Sequence, residues 1–110
     1  MTVKDIIDSG SFELLCEGSD TSVPVEGVFC CDLLSVAMGK GRPDCAWVTV
    51  MGNINSLAVL HLTDMSCIVL AENAALDPEA EKKAAEVGIT VLRSKEPVFE
   101  TSLIIYNMLR

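Results

Sequence analysis

Four short apolar runs recur along the chain, and each leads through a polar corner toward a helix-like segment. The runs are Glu26–Cys31, Ala46–Met51, Cys67–Ala71 and Ile89–Arg93, and they contain many of the β-branched and aromatic side chains that fit a pleated sheet. Strands that alternate with helices over short loops predict an α/β fold, with a mostly parallel sheet flanked by helices. Continuous apolar runs such as CIVLA indicate strands that are covered on both faces.

Helix and turn signals complete the expected order of elements. Thr2 can cap a short first helix that ends at Gly10, and the run FELLC after it is typical of a further strand. Asp32 is an acceptable cap for a helix that ends at the glycines of GKG. Asp77 followed by Pro78 marks another helix start, because proline is tolerated at the first helical position. Five strands and five helices are therefore expected in one domain.

Two of the predicted helices carry apolar faces that need partners. The segment Ile54–Leu62 is apolar almost all round, so we expect the sheet and another element or subunit to cover it on most sides. In the last helix, from about Pro97 onward, Phe99, Leu103 and Tyr106 recur at helical spacing and predict one packed stripe.

The length and charge of the chain restrict the class of protein. Its 110 residues suit a single domain, 1–110, with a real core. The formal net charge of −8 repels nucleic-acid phosphates and anionic membranes, so we expect neither nucleic acid nor membrane as a partner. No run approaches the roughly 18–20 apolar residues that a bilayer crossing needs, and the start MTVKDIIDSG does not resemble a secretory signal. A cytoplasmic protein is the simplest expectation.

Five cysteines are present, and each lies in an apolar setting. Cysteine is among the most buried residues, so we expect buried free thiols in a reducing compartment. Adjacent Cys30 and Cys31 would point to opposite faces of a strand. There is no CxxC pair, and His61 is far from any pair of cysteines along the chain. We predict no metal site and no cofactor, and keep as an alternative a metal or redox role for cysteines that converge in the fold.

The residues best suited to bind a ligand lie where the predicted strands end, because ligands of open parallel sheets bind outside the carboxyl ends of the strands. The candidate ligand-binding residues at those ends are Asp32, Gly52, Asn53, Asn55, Asn73 and Ser94, with Lys95 as a nearby cation. Gly52 would let the backbone approach a ligand, and the N–H groups after Asn53 would bind an anion. We favour the competing interpretation, in which Asn53 or Asn55 caps a helix and Gly52 forms a tight turn.

The sequence contains no recognisable catalytic constellation. The stretch GKGRPD has a Gly-Lys pair but not the GxxxxGK[ST] of a phosphate loop, and it follows a helix-like segment where a phosphate loop follows a strand. GxSxG and HExxH are absent. His61 lies within the apolar Ile54–Leu62 segment, where a packed or surface histidine is favoured over a catalytic base. We therefore assign no catalytic residue and do not expect an enzyme.

The order of these segments resembles the DRTGG domain family over about Val25–Leu109, and most closely its short stand-alone bacterial members. The resemblance lies in the strand-to-DLLS junction, WVTVMGNIN, CIVLAENAALDP and VGITVLRSKEPVFETS. It implies a fold like the N-terminal domain of HPr kinase/phosphorylase, without the separate domain that carries the kinase chemistry. The Asp-Arg-Thr-Gly-Gly stretch that names the family is absent, and bulkier Phe29 and Cys30 stand where relatives often have a glycine pair.

The resemblance also implies a function. DRTGG domains in some phosphotransacetylases and regulated pyrophosphatases look like regulatory or subunit-contact modules, and some stand-alone relatives occur near iron-only hydrogenase genes. From this contact role, the missing catalytic constellation and the apolar Ile54–Leu62 helix, we predict a non-catalytic regulatory or interaction module accessory to anaerobic redox metabolism. We expect a homodimer, with a protein or a small anionic ligand as its further partner. The alternative is a sensor that binds a small ligand, a nucleotide or an anionic metabolite, at the C-terminal edge of the sheet.

Overall fold

A computed structural model describes the whole chain, Met1–Arg110. Its elements, in chain order, are α1 (Val3–Asp8), β1 (Glu13–Cys16), β2 (Gly27–Cys30), α2 (Leu34–Lys40), β3 (Cys45–Thr49), α3 (Ile54–Thr63), β4 (Cys67–Leu70), α4 (Pro78–Val87), β5 (Val91–Arg93) and α5 (Val98–Leu109). This confirms the predicted order of strands and helices. None of the helices combines the length and the apolar character needed to cross a membrane.

The strands form one sheet in the order β1-β5-β4-β3-β2. Strands β2 to β5 are mutually parallel, and β1 alone runs antiparallel, against β5. Every residue of β3 and β4, the strands near the centre, is buried. The fold class is therefore the predicted α/β arrangement with a mostly parallel sheet, and continuous apolar runs form the strands that are covered on both faces.

Helices cover the two faces of the sheet and bury two separate hydrophobic clusters. On the face covered by α2, α3 and α4, Trp47 and Leu60 belong to one cluster. On the face covered by α1 and α5, Val48 and Ile105 belong to the other. Trp47 and Val48 are neighbours in β3, so the alternation of side chains along one strand supplies both cores. Burial of one such large apolar side chain stabilises the fold by about 1.5–3 kcal/mol.

The helix ends of α1 and α4 follow from the local sequence. Thr2 caps α1 through a capping box, as predicted. Helix α4 begins at Pro78 and ends at Val87, with Gly88 as its C-cap, and the side chain of Asp77 before it forms no cap hydrogen bond. Gly88 has a φ of 81°, in the left-handed region that favours glycine after a helix.

The apolar stripe of α5 is exposed, which corrects the prediction that it is packed. Phe99 is 70% exposed, Leu103 41% and Tyr106 54%. The helix instead buries Thr101 and Ile105. Helix α5 is apolar on more than one face, so spacing alone does not select the buried face. Helix α5 lies over β2 and β3, at one margin of the sheet, and leaves these three side chains exposed.

Helix α3 is largely covered within the chain. It buries Ser56, Leu57, Val59 and Leu60, and it contacts both α2 and α4. Leu62, at 63% exposure, is its one large apolar side chain that faces solvent. The expected cover for this apolar helix thus comes mostly from elements of the same chain.

Candidate functional site

The carboxyl ends of β2, β3, β4 and β5 meet at one edge of the sheet, because these four strands are parallel. The six candidate residues follow these ends: Asp32, Gly52, Asn53, Asn55, Asn73 and Ser94. Their contacts divide them into three groups: one at the end of β2, one in the loop that enters α3, and one where β4 and β5 end.

Asp32 connects the end of β2 to the end of β3. One carboxylate oxygen accepts hydrogen bonds from the Thr49 hydroxyl at 2.7 Å and from the Val50 N–H at 2.9 Å. The prediction that Asp32 caps α2 is wrong, because α2 begins at Leu34 and has no side-chain cap. A carboxylate that joins a hydroxyl and an otherwise free amide forms charge-assisted hydrogen bonds, and these hold Asp32 against β3.

Asn53 caps α3. Its side-chain oxygen accepts hydrogen bonds from the N–H groups of Asn55 and Ser56, at 3.0 and 3.1 Å. These amides are among those that a helix start leaves without partners, and they are the groups that would bind an anion. The side chain of Asn53 therefore already occupies the position of a ligand, while Asn55 is exposed one residue into the helix.

Gly52 packs against the loop between β4 and α4. Its carbonyl accepts a hydrogen bond from the Asp77 N–H at 2.8 Å. A Cβ atom built on Gly52 would overlap the carbonyl oxygen of Ala75. The close approach of two backbone segments thus explains the glycine at this corner, and no bound ligand is needed to explain it.

Asn73 and Ser94 meet where β4 and β5 end. The Asn73 N–H donates to the Ser94 carbonyl, and the Glu72 N–H donates to the Glu96 carbonyl, each at 2.8 Å. Glu72 and Asn73 both have positive φ angles, 60° and 54°, which non-glycine residues adopt rarely. The Ser94 hydroxyl accepts hydrogen bonds from the Thr101 hydroxyl at 2.9 Å and from the Glu96 N–H at 3.0 Å. The amides of Glu72, Asn73 and Glu96 are therefore bonded within the chain.

A cleft of about 370 Å³ opens beside Asn73, and we name it the Arg93 cleft. Its lining consists of Gly10–Glu13, Asn73 and Arg93–Glu96. The Arg93 guanidinium contacts the Glu13 carboxylate at 3.0 Å and donates to the Ala74 carbonyl at 3.4 Å. Lys95 is exposed and forms no ion pair. The cleft therefore contains one cation held in place by a carboxylate and one that is free.

Of the predicted candidates, Asn73, Ser94 and the nearby Lys95 line the Arg93 cleft. The remaining four lie outside it: Asp32, Gly52, Asn53 and Asn55. Arg93 and Glu13 are missing from the prediction, although they are directly opposed across β1 and β5. No sequence motif marks this pair, because Glu13 and Arg93 lie 80 positions apart and the pairing of β1 with β5 is decided by tertiary packing.

A second candidate site lies at the open edge of the sheet, and we name it the α5–β2 surface. It is a shallow groove of about 400 Å³ lined by Val28, Cys30, Phe99, Ser102, Leu103 and Tyr106. Five of these six side chains are hydrophobic. The Cys30 thiol lies 2.9 Å from the Ser102 hydroxyl. Grouped exposed apolar side chains of this kind mark contact surfaces more often than isolated ones do.

All five cysteines are free thiols. Cys45 and Cys67 are buried, Cys16 and Cys31 are half-buried, and Cys30 is exposed, so the expected burial is wrong for Cys30. Burial raises the pKa of Cys67 to about 12, and burial together with the nearby Glu81 raises the pKa of Cys16. Both thiols are therefore protonated at neutral pH and poorly nucleophilic. The fold brings no group of three or more His, Cys, Asp or Glu side chains together for a metal ion.

Comparison with known proteins identifies the fold. Among solved structures, the chain is similar to the CBS and DRTGG domains of the regulatory region of Clostridium perfringens pyrophosphatase, complexed with the activator diadenosine tetraphosphate. The TM-score is 0.73 at 16% sequence identity, over 94% of this chain and 45% of that chain, so this chain spans less than half of the similar one. No protein-family model and no curated protein matches the chain. The fold is that of a DRTGG-like domain, as the resemblance implies.

Proposed function

We propose that this chain is a non-catalytic regulatory module of the DRTGG type that acts by contact with another protein surface. The observation that carries the proposal is the exposed apolar stripe of α5, formed by Phe99, Leu103 and Tyr106. Single exposed apolar residues are normal on a protein surface, whereas a contiguous group of them marks an interaction site. The α5–β2 surface is therefore the contact surface in this proposal.

Two further observations support a regulatory module. The similar solved structure belongs to the regulatory region of a pyrophosphatase and contains an activator. In this chain, Asp32, Asn53 and Ser94 use their side chains to join strand ends and helix starts. These polar groups thus stabilise the fold at the edge where an enzyme of this architecture would place its chemistry. From the family resemblance we extend the proposal to a cytoplasmic role accessory to anaerobic redox metabolism.

Capture of partners from an anaerobic extract of the native host tests this function. The wild-type chain is compared with Leu103→Glu and with Leu62→Glu, a matched control because Leu62 is 63% exposed on α3 and lies outside the α5–β2 surface. Circular dichroism first establishes that both variants are folded. We expect the wild type and the control to retain the same bound proteins and Leu103→Glu to lose them. Equal retention by all three chains would refute the proposed contact surface.

The Arg93 cleft favours a second function, the binding of a small anionic ligand such as a nucleotide. Arg93 and Lys95 are two of only eight Lys and Arg residues in a chain of net charge −8, yet they line the same cleft. The side chain of Asn73 completes a polar lining at the carboxyl ends of the strands, where ligands of parallel sheets bind. The Glu13 carboxylate beside Arg93 and the acidic Glu96, which lines the same cleft, both oppose an anion, so we expect modest affinity.

Thermal unfolding with added ligand tests this second function. ATP, diadenosine tetraphosphate and inorganic phosphate are the probes, because a ligand that binds only the folded chain raises its melting temperature. Lys95→Ala and Asn73→Ala should abolish the increase, whereas Lys40→Ala, an exposed cation on α2, should not. Asn53→Ala is the informative second control. An increase that depends on Asn53 and not on Asn73 would move the ligand to the Gly52–Asn53 corner.

A further inference from the structure

A groove of about 390 Å³ runs between α3 and α4, on the opposite face of the sheet from α5, and we name it the α3–α4 groove. Its volume falls within the roughly 300–1,000 Å³ that is typical of small-molecule sites. Leu57 in its lining is buried, whereas Leu62 and Val87 are 63% and 44% exposed. The apolar part of the lining consists of Ile54, Leu57, Ala58, Leu62 and Val87. The groove therefore presents apolar surface to solvent.

The only ionisable side chains in the lining of this groove are basic. They are His61 on α3 and Lys83 on α4, both are exposed, and neither forms an ion pair. The acidic residues about one helical turn away are Glu79 and Glu86 for Lys83 and Asp64 for His61, and none of the three lines the groove. In a chain of net charge −8, the groove thus combines an apolar lining with two unpaired basic groups and no acid.

We propose that the α3–α4 groove binds a monocarboxylate with an apolar chain of medium length, of which octanoate is the simplest example. The apolar chain covers Leu62 and Val87, and removal of this surface from water favours binding. The carboxylate accepts a charge-assisted hydrogen bond from Lys83, with His61 as a second donor. A more highly charged group such as a phosphate is disfavoured, because burial of charge against apolar side chains is costly.

The size of the groove favours a small molecule over a protein segment or a membrane. Helix α3 has ten residues and therefore spans about 15 Å. Seven residues line the groove, whereas a standard protein interface uses roughly 20–30 residues a side. The net charge of −8 repels an anionic membrane surface. This site is independent of the protein contact proposed for the α5–β2 surface, and its apolar ligand differs from the polar anion proposed for the Arg93 cleft.

Titration of the full chain with octanoate, followed by amide chemical shifts in ¹H–¹⁵N NMR spectra, tests the inference. We expect the largest shift changes in α3 and α4. Lys83→Gln should raise the dissociation constant by about fivefold, as expected for loss of one solvent-exposed ion pair. Lys82→Gln is the matched control, because Lys82 is the adjacent exposed lysine and lies outside the lining, so its dissociation constant should equal that of the wild type. Leu62→Glu, which places a carboxylate in the groove, should abolish binding.

A second probe, 1-octanol, separates the carboxylate from the apolar chain, since it has the same chain without the charge. We expect it to bind the wild type about fivefold more weakly than octanoate does, and to bind Lys83→Gln and the wild type equally. Equal affinities of the wild type for the two probes overturn the inference, as does octanoate binding that Leu103→Glu abolishes and Leu62→Glu retains. No shift change in α3 and α4 at millimolar octanoate also overturns it. Loss of captured proteins through Leu62→Glu would assign the groove to a protein segment instead and overturn the inference.

Discussion

Replacement of Gly52 by alanine tests whether the Gly52–Asn53 corner is a packed turn. The added Cβ overlaps the Ala75 carbonyl oxygen and lies 3.1 Å from Leu76 Cα. Both neighbours are backbone atoms, so the loop before α4 must move and the hydrogen bond from the Asp77 N–H is strained. Overpacking of this kind costs about 1–3 kcal/mol and a lost hydrogen bond about 1 kcal/mol. We therefore expect the free energy of unfolding to fall by about 2–4 kcal/mol.

Urea denaturation measures this loss, and a second glycine provides the control. Gly39 lies in α2, and a methyl group added to its Cα would meet no heavy atom within 4 Å, so Gly39→Ala should be neutral or stabilising by up to about 1 kcal/mol. In a thermal scan, Gly52→Ala should lower the melting temperature by about 8 °C or more. A Gly52→Ala variant within about 0.5 kcal/mol of the wild type would show that the corner is loosely packed. That result would favour the ligand-cradle interpretation.

Two further predictions concern the start of α3 and the buried thiol. Asn53→Ala should lower the free energy of unfolding by about 1 kcal/mol through loss of the cap, whereas Ser56→Ala should be neutral or stabilising, because the buried Ser56 hydroxyl has no hydrogen-bond partner. Both are measured by urea denaturation. The pKa of Cys67 is raised from 9.0 to about 12, so the folded chain binds more protons than the unfolded chain in this range. Its contribution to stability is full below pH 9.0 and is lost as the pH rises toward about 12, and Cys67→Ala should reduce this slope.

The strands and their direction could be predicted from the sequence because they depend on local pattern. A run such as Cys67–Leu70 is apolar at every position, which is typical of a short strand covered on both faces. The polar corners after the strands are predictable for the same reason, since parallel strands share one edge. The cap formed by Asn53 is equally local, because it joins residues three positions apart.

The remaining features depend on contacts between distant segments. The pairing of Glu13 with Arg93 joins residues 80 positions apart, and it creates the Arg93 cleft. The hydrogen bond between Asp32 and Thr49 likewise holds the Asp32 side chain against β3, although the local sequence predicts that it caps a helix. On α5, periodicity identifies an apolar stripe but does not show which face the sheet covers. These are the places where packing, and not local pattern, decides the outcome.

Thr101 connects the Arg93 cleft to the α5–β2 surface. Its buried hydroxyl lies within hydrogen-bond distance of the Ser94 hydroxyl, at 2.9 Å, and of the Glu96 carbonyl, at 3.1 Å, and both groups belong to the segment that lines the cleft. Helix α5 itself carries the apolar stripe. A ligand in the cleft and a protein on the surface should therefore change each other's affinity by the same factor.

Thr101→Val removes both hydrogen bonds at nearly constant volume and isolates this coupling. We expect ATP to change the amount of protein that the wild type retains from an anaerobic extract and to leave the amount that Thr101→Val retains unchanged, as measured by capture with and without ATP. Thr90→Val is the control, because it also removes a buried hydroxyl, the acceptor for the Gly18 N–H at 2.9 Å, but lies at the amino end of β5. If ATP changes the protein retained by the wild type and by both variants equally, coupling does not pass through Thr101. If only Thr101→Val is insensitive, the start of α5 transmits the state of the cleft to the contact surface, because general destabilisation would affect both variants.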